Sequence, residues 1–308
     1  MNWIRRLLVS ASESLWLRER APRYRFVRRA AARFFPGENV GSAIAAARGL
    51  ATDGIFTLLT HLGENVRDRH ESETVAQQYL ELLDRIRAEN LPAEISVKLT
   101  QLGLDVDHEL CYANLARLVE RAGSQTVWID MEQSAYVDAT LELYRRAQKA
   151  YRRTGICVQT YLHRTEKDLV PLIEMGAAVR LVKGAYSEPR DIAYAKKREV
   201  DENYFRLARI LLGPEAQRAG VRAVLATHHR KLIARITEWA AAQGIPKNQL
   251  EFAMLYGIQR GEQVRLAREG YRSDVLISYG AFWFPWYMRR LAERPANILF
   301  VIRNFFSR

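Results

Sequence analysis

The sequence predicts an α/β fold of the (β/α)8 barrel type, with a basic helical arm before it and a C-terminal helix capping the barrel mouth. Three observations carry that expectation. Short β-rich apolar runs recur eight times between residues 54 and 280, and amphipathic segments of helical spacing separate them. No Gly-x-Gly-x-x-Gly turn follows the first run, which weakens the alternative of an open doubly wound sheet. Strict strand–helix alternation favours a parallel sheet, and eight strands close into this barrel.

In chain order the runs are Ile55 to Leu59, Ile95 to Leu99, Val127 to Met131, Ile156 to Leu162, Val179 to Val182, Val221 to Ala226, Phe252 to Tyr256 and Val275 to Ser278. Among the helical segments, Thr74 to Ala88 puts Val75, Tyr79, Leu82, Leu83 and Ile86 on one face. Tyr136 to Tyr151 and Asn203 to Leu212 have the same spacing. With 308 residues, 48% of them hydrophobic, the chain can bury a large core. No internal linker is visible. Residues 1–50 read as a helical arm and residues 51–308 as the barrel with a short basic tail.

The net charge of +12 is uneven. Residues 1–35 hold nine arginines against Glu13 and Glu19, a local balance of +7, so the remaining residues carry only +5. Such an arm suits anionic lipid or nucleic acid, or is simply a solvated helix. Cys111 and Cys157 are the only cysteines, which argues against a disulfide framework and suits a reducing compartment. No stretch approaches the roughly 20 apolar residues that span a bilayer. Leu7-Leu8-Val9 is too short for the apolar core of a secretory signal. The expected location is cytoplasmic, at most peripheral to a membrane.

Chemistry in a closed barrel belongs at the C-terminal ends of the strands, and here those ends are polar. They carry His61 and Glu64, Lys98, Asp130 and Glu132, Gln159, Arg180 and Lys183 leading to Tyr186, then Thr227-His228-His229. Lysine or aspartate inside a strand is costly unless paired, and Lys98 and Asp130 on neighbouring strands offer mutual pairing. No His-x-His or His-Glu-x-x-His spacing points to a metal, no Gly-x-Ser-x-Gly elbow to a serine nucleophile, and Cys157 lacks an obvious partner. Near the C-terminus, Arg289-Arg290 follow the aromatic block Phe282-Trp283-Phe284-Pro285-Trp286-Tyr287. Glu293 lies beside both arginines on a helix. Paired guanidinium forks against aromatic walls suit a small carboxylate, although a surface helix with ordinary ion pairs would read the same way.

Taken in order, these residues resemble the proline dehydrogenase family over about residues 54–297. The most specific blocks are Ser96-Val97-Lys98-Leu99, Ile129-Asp130, Val158-Gln159-Thr160-Tyr161, Val179-Arg180-Leu181-Val182-Lys183-Gly184-Ala185-Tyr186, Ala226-Thr227-His228, Glu251-Phe252-Ala253-Met254-Leu255-Tyr256-Gly257 and Arg289-Arg290-Leu291-Ala292-Glu293. The resemblance implies a (β/α)8 flavoenzyme with FAD across the strand ends. It implies that Gln159, Arg180, Val182, Lys183, Gly184 and Ala185 contact the flavin ring and phosphates, with Thr227 and His228 at the ribityl and pyrophosphate region. Asp130, Arg290 and Glu293 join the cofactor side. On the substrate side it implies that Lys98, Arg289 and Arg290 bind a carboxylate, and that Asp130 orients Lys98. Glu293 then steadies the arginine helix, Glu64 pairs with Arg289 as a gate, and Tyr186 and Leu255 border the substrate. The implied reaction is hydride transfer from the carbon next to nitrogen of a cyclic amino acid to flavin N5, giving the cyclic imine. The electrons then pass to a quinone or other membrane-linked acceptor, with no nucleic acid partner expected.

Two positions depart from the family pattern. Leu276, in Val275-Leu276-Ile277-Ser278, stands where the family has a tyrosine, and Trp286 stands where it has another. Both changes lie in the substrate pocket, so the expected substrate is proline or a related cyclic amino acid such as hydroxyproline or pipecolate. Two other readings compete: a non-catalytic basic barrel that binds membrane or nucleic acid, and a flavin-free aldolase using Lys98 as a Schiff base.

Overall fold

A computed structural model describes residues 31–63, 66–285, 287 and 288, together with Arg20, Tyr24 and Val27. Eight strands close into a parallel barrel in the order β1 to β8: β1 Phe56–His61, β2 Ala93–Val97, β3 Val127–Ile129, β4 Thr154–Gln159, β5 Ala178–Val182, β6 Arg222–Ala226, β7 Glu251–Leu255 and β8 Arg272–Tyr279. Closure is made by β1 on β8, in register from Phe56 opposite Asp274 to His61 opposite Tyr279. Helix α1 (Val40–Ala51) precedes β1. The connections carry α2 (Arg69–Ala88), α3 (His108–Ala122), α4 (Val137–Ala150), α5 (Thr165–Glu174), α6 (Lys197–Leu211), α7 (Pro214–Ala219), α8 (Arg230–Ala242) and α9 (Arg260–Arg268). Among the described residues no helix is long and apolar enough to cross a membrane.

The eight runs become the eight strands, with ends shifted by a few residues. Val127 to Met131 shortens most: the chain turns at Asp130, whose N–H is held by the Val97 carbonyl at 2.8 Å. Helix starts follow local chemistry. Asp68 accepts from the Glu71 N–H at 2.8 Å, and Asp107 from the Leu110 N–H at 2.7 Å, satisfying amides that a first turn leaves unpaired. Outward strand residues such as Leu59, Ile95, Ile129, Val179 and Ile277 form one core with the helices. The expected break at residue 50 requires correction. It falls inside α1, whose Ala43, Ile44, Ala47 and Leu50 are buried in that same core; the helix carries a single basic residue and packs as part of the barrel.

Inward residues fill the barrel itself: Leu58, Trp128, Val224 and Ala253, joined by Ala178, Ala226 and Leu276. Trp128 fits because the facing position is Gly155, where a Cβ would lie 2.5 Å from its ring. The N-terminal end of the barrel is stoppered by charge. Arg222 reaches Glu94 at 2.7 Å and Glu251 at 2.6 Å, Arg272 reaches Glu251 at 3.1 Å, and the Trp128 N–H donates to Glu94 at 2.7 Å. Asp274 is buried beside Glu251. Desolvation, reinforced by the Glu251 charge, pushes the Asp274 carboxyl well above its ordinary range. Burial opposes ionisation of Glu251 as well, but the Asp274 hydrogen bond and Arg222 outweigh it and hold that carboxyl low.

At the other end, a separate cluster joins Ala31, Phe34 and Phe35 to Leu62 behind β1 and to Trp283, Phe284 and Tyr287. Residues 283–285, 287 and 288 are helical, so the start of the capping helix sits at the C-terminal ends of the strands.

Candidate active site

The C-terminal rim gathers the polar residues singled out in the sequence. Lys98 follows β2, Asp130 follows β3, Gln159 ends β4, and Arg180 and Val182 lie in β5 with Lys183, Gly184, Ala185 and Tyr186 behind them. Thr227 and His228 follow β6, Leu255 ends β7 and Leu276 lies in β8. Glu64, Trp286, Arg289, Arg290 and Glu293 lie outside the described residues.

Arg180 is the centre of this rim. It points inward two residues after Ala178 and is 3% exposed. Its Nε donates to Cys157 Sγ at 3.1 Å, and its Nη2 donates to Ser96 Oγ at 2.8 Å and pairs with Asp130. Ser96 Oγ in turn donates to Asp130 at 2.9 Å. The guanidinium lies 5.2 Å from the Trp128 ring centre, while Arg222 lies 5.2 Å from the same ring. Three sides of the fork are therefore fixed. Among the described residues, the buried Nη1 has no hydrogen-bond partner.

That arrangement corrects two expectations. Asp130 pairs with Arg180, because the inward parity that brings Ser96 to Asp130 also brings in the long β5 side chain. Cys157 does have a partner in Arg180, and burial pushes its thiol up, keeping it a neutral acceptor. Glu132 also feels the Lys98 charge. Burial pushes Glu132 up, opposed by Lys98 and by the Thr100 hydroxyl and N–H at 2.8 and 3.2 Å.

Gln159 is 3% exposed and donates from Nε2 to the carbonyls of Met131 and Glu132, at 3.1 and 3.2 Å. Among the described residues its Oε1 has no partner, nor does Oγ1 of the next residue, Thr160. Lys183 pairs with Asp201 of α6, and the other Asp201 oxygen lies 3.4 Å from His229 Nδ1. Gly184 has φ +104°, and a Cβ there would enter the Tyr161 ring at 2.2 Å, so the segment behind β5 requires glycine. His228 Nε2 accepts the Leu255 N–H at 2.9 Å, tying the ends of β6 and β7.

Ser96, Cys157 and Asp201 hold the rim together with Glu132 but were not among the expected site residues. Inward parity within Ser96-Val97-Lys98 could have found Ser96. Asp201 lies in the charged run Lys197-Arg198-Glu199-Val200-Asp201-Glu202, where nothing distinguishes it.

A braced cation and unpaired buried donors and acceptors at the C-terminal rim define the class: a (β/α)8 barrel enzyme. The chain matches the family model described as proline dehydrogenase over residues 43–303. It is 35% identical over 277 residues to proline dehydrogenase 2 of Bacillus subtilis (strain 168), covering 89% of this chain and 90% of that protein. It is 36% identical over 281 residues to the proline dehydrogenase of Deinococcus radiodurans, covering 89% of each. Among solved structures, proline utilization A from Bdellovibrio bacteriovorus superposes with a TM-score of 0.80 at 25% identity, over 91% of this chain and 34% of that one. The chain thus spans about a third of that larger protein. It belongs to the proline dehydrogenase family.

Proposed function

We propose that this chain oxidises proline, or a cyclic amino acid close to it, to the cyclic imine with FAD as its bound cofactor. The observation that carries the reading is the Arg180 fork, immobilised on three sides with Nη1 unpaired in a buried rim. A flavin ring edge alternates acceptors and donors, so it fits the Arg180 Nη1 N–H and the Gln159 carbonyl oxygen together. Gln159, Arg180, Val182, Lys183, Gly184 and Ala185 would hold the ring and phosphates, and Thr227 and His228 the ribityl region. When bound there, FAD supplies the acceptor for the hydride that leaves the ring carbon next to nitrogen.

The remaining work falls to side chains. Lys98, Arg289 and Arg290 would grip the substrate carboxylate, with Glu293 steadying the arginine pair and Glu64 facing Arg289. Leu255, Tyr186, Leu276 and Trp286 would border the ring and exclude water. The substrate amine must be neutral, since a protonated ammonium cannot supply its lone pair, so positioning and electrostatics dominate over acid–base work. We assign electron disposal to a quinone or other membrane-linked acceptor, with the basic arm on the membrane side of a cytoplasmic protein.

Purified protein tests this directly. It should carry a flavin spectrum, and Arg290→Ala should raise KM for proline by a factor equivalent to about 2–5 kcal/mol, typical of breaking a buried charge pair. A colourless protein that FAD does not reconstitute would remove the cofactor. An unchanged KM would remove Arg290 from the carboxylate grip.

A further inference from the structure

We propose that residues 31–38 are a positioning element of the substrate pocket, with Phe35 and Glu38 acting through Trp283 and the Arg33 backbone acting through Gly257. The segment looks like the end of a solvated basic arm, yet Phe34 and Phe35 are buried at the barrel mouth. Phe35 stacks on Trp283 with ring centres 5.6 Å apart, and Phe34 lies 6.3 Å from Tyr287. The Trp283 N–H donates to Glu38 Oε1 at 3.0 Å. These contacts hold Trp283 and Tyr287, a few residues before Arg289 and Arg290 in the chain.

The second contact is with the loop behind β7. Gly257 has φ +73°, and a Cβ there would lie 1.8 Å from the Arg33 carbonyl oxygen, so the two backbones touch and glycine alone permits it. That loop directly follows Leu255, the last residue of β7. It is held from the other sides by the Leu276 carbonyl, which accepts the Tyr256 N–H at 2.9 Å, and by Gln263, which donates to the Leu255 and Ile258 carbonyls at 3.1 and 2.8 Å. Ile258 packs into the Phe34–Trp283 cluster. Residues 31–38 therefore brace, from outside, two of the elements that border the pocket. Neither brace touches the Arg180 fork, so loosening them should disturb substrate affinity and spare the cofactor.

The inference rests on the reading of the mouth as a pocket for a cyclic amino acid, and the experiment separates the two. Phe35→Ala, Glu38→Ala and Trp283→Phe are made in the full flavin-loaded enzyme, Trp283→Phe keeping an aromatic ring, smaller than the indole, while removing the N–H. Each should raise KM for proline roughly 3- to 10-fold, the size of a lost buried hydrogen bond or ring contact. Turnover at saturation should stay within about twofold and flavin content should not change. The Glu38→Ala, Trp283→Phe double variant should cost less than the two single effects combined, because both remove the Trp283–Glu38 bond. If Arg290→Ala raises KM while none of the three does, the segment positions nothing and the proposal falls. The proposal also falls if KM rises only together with a loss of turnover and flavin content, because the segment would then be only a stabilising contact. If Arg290→Ala itself leaves KM unchanged, it is the reading of the carboxylate grip that fails.

Discussion

Arg180 shows how much of the rim's chemistry depends on one side chain. Its charge sits 3% exposed and is tolerated because Asp130 faces it and Ser96 and Cys157 accept from it. Removing the counter-charge should therefore be costly. Asp130→Ala is expected to lose roughly 3–5 kcal/mol of stability, the cost of leaving a buried charge unpaired, and a urea midpoint measures it. A loss below about 1 kcal/mol, the range of exposed pairs, would mean that water reaches the guanidinium. The sequence marks Arg180 and Asp130 as rim residues but misassigns the pairing, because Lys98 and Arg180 both lie within reach of Asp130 in any parity argument. Side-chain length decides it, and only the folded backbone supplies the distances.

The strands themselves are largely legible. A parallel strand covered on both faces is apolar throughout, so Ile156 to Leu162 or Phe252 to Tyr256 stands out against charged helices. What lies inside the barrel is harder to read. Gly155 looks like a flaw in β4 until Trp128 is seen to occupy the space its side chain would take. Gly155→Ala is expected to destabilise by about 1–3 kcal/mol through overpacking, read as a shift in thermal midpoint. No shift would show that the indole can move aside. The stopper at the N-terminal strand ends gives a pH dependence. Asp274 has its folded-state pKa raised above the ordinary 3.8. Its contribution is thus fully present below that value and lost as pH rises through the raised one, since the folded protein there holds a proton that the unfolded chain releases. Asp274→Asn cannot ionise and keeps a donor toward Glu251. Its melting temperature should fall less than the parent's as pH rises from about 4 toward neutrality; parallel curves would mean that Asp274 ionises normally.

The described residues form one barrel, stoppered by an ion network at the N-terminal end and carrying at the other an aromatic cluster in which Phe34 and Phe35 pack with Trp283, Phe284 and Tyr287. The fold class, the polar rim and the family were all visible in the sequence, because each is written in a periodicity or in a contiguous block. The boundary at residue 50 was not, since the high charge of residues 1–35 hides Phe34 and Phe35 and the apolar face of α1 behind it. Contacts between chain ends more than two hundred residues apart, such as Glu38 with Trp283, leave no local signal at all. The most direct test of the whole account is anaerobic titration of the purified holoenzyme with a panel of cyclic amino acids while the flavin absorbance is followed. Proline or a near relative carrying a free carboxylate should bleach the flavin in proportion to the amount added, and the matching amide should not. Full reduction by the amide, or no reduction by any member of the panel, would contradict a site built to grip a carboxylate beside a redox ring.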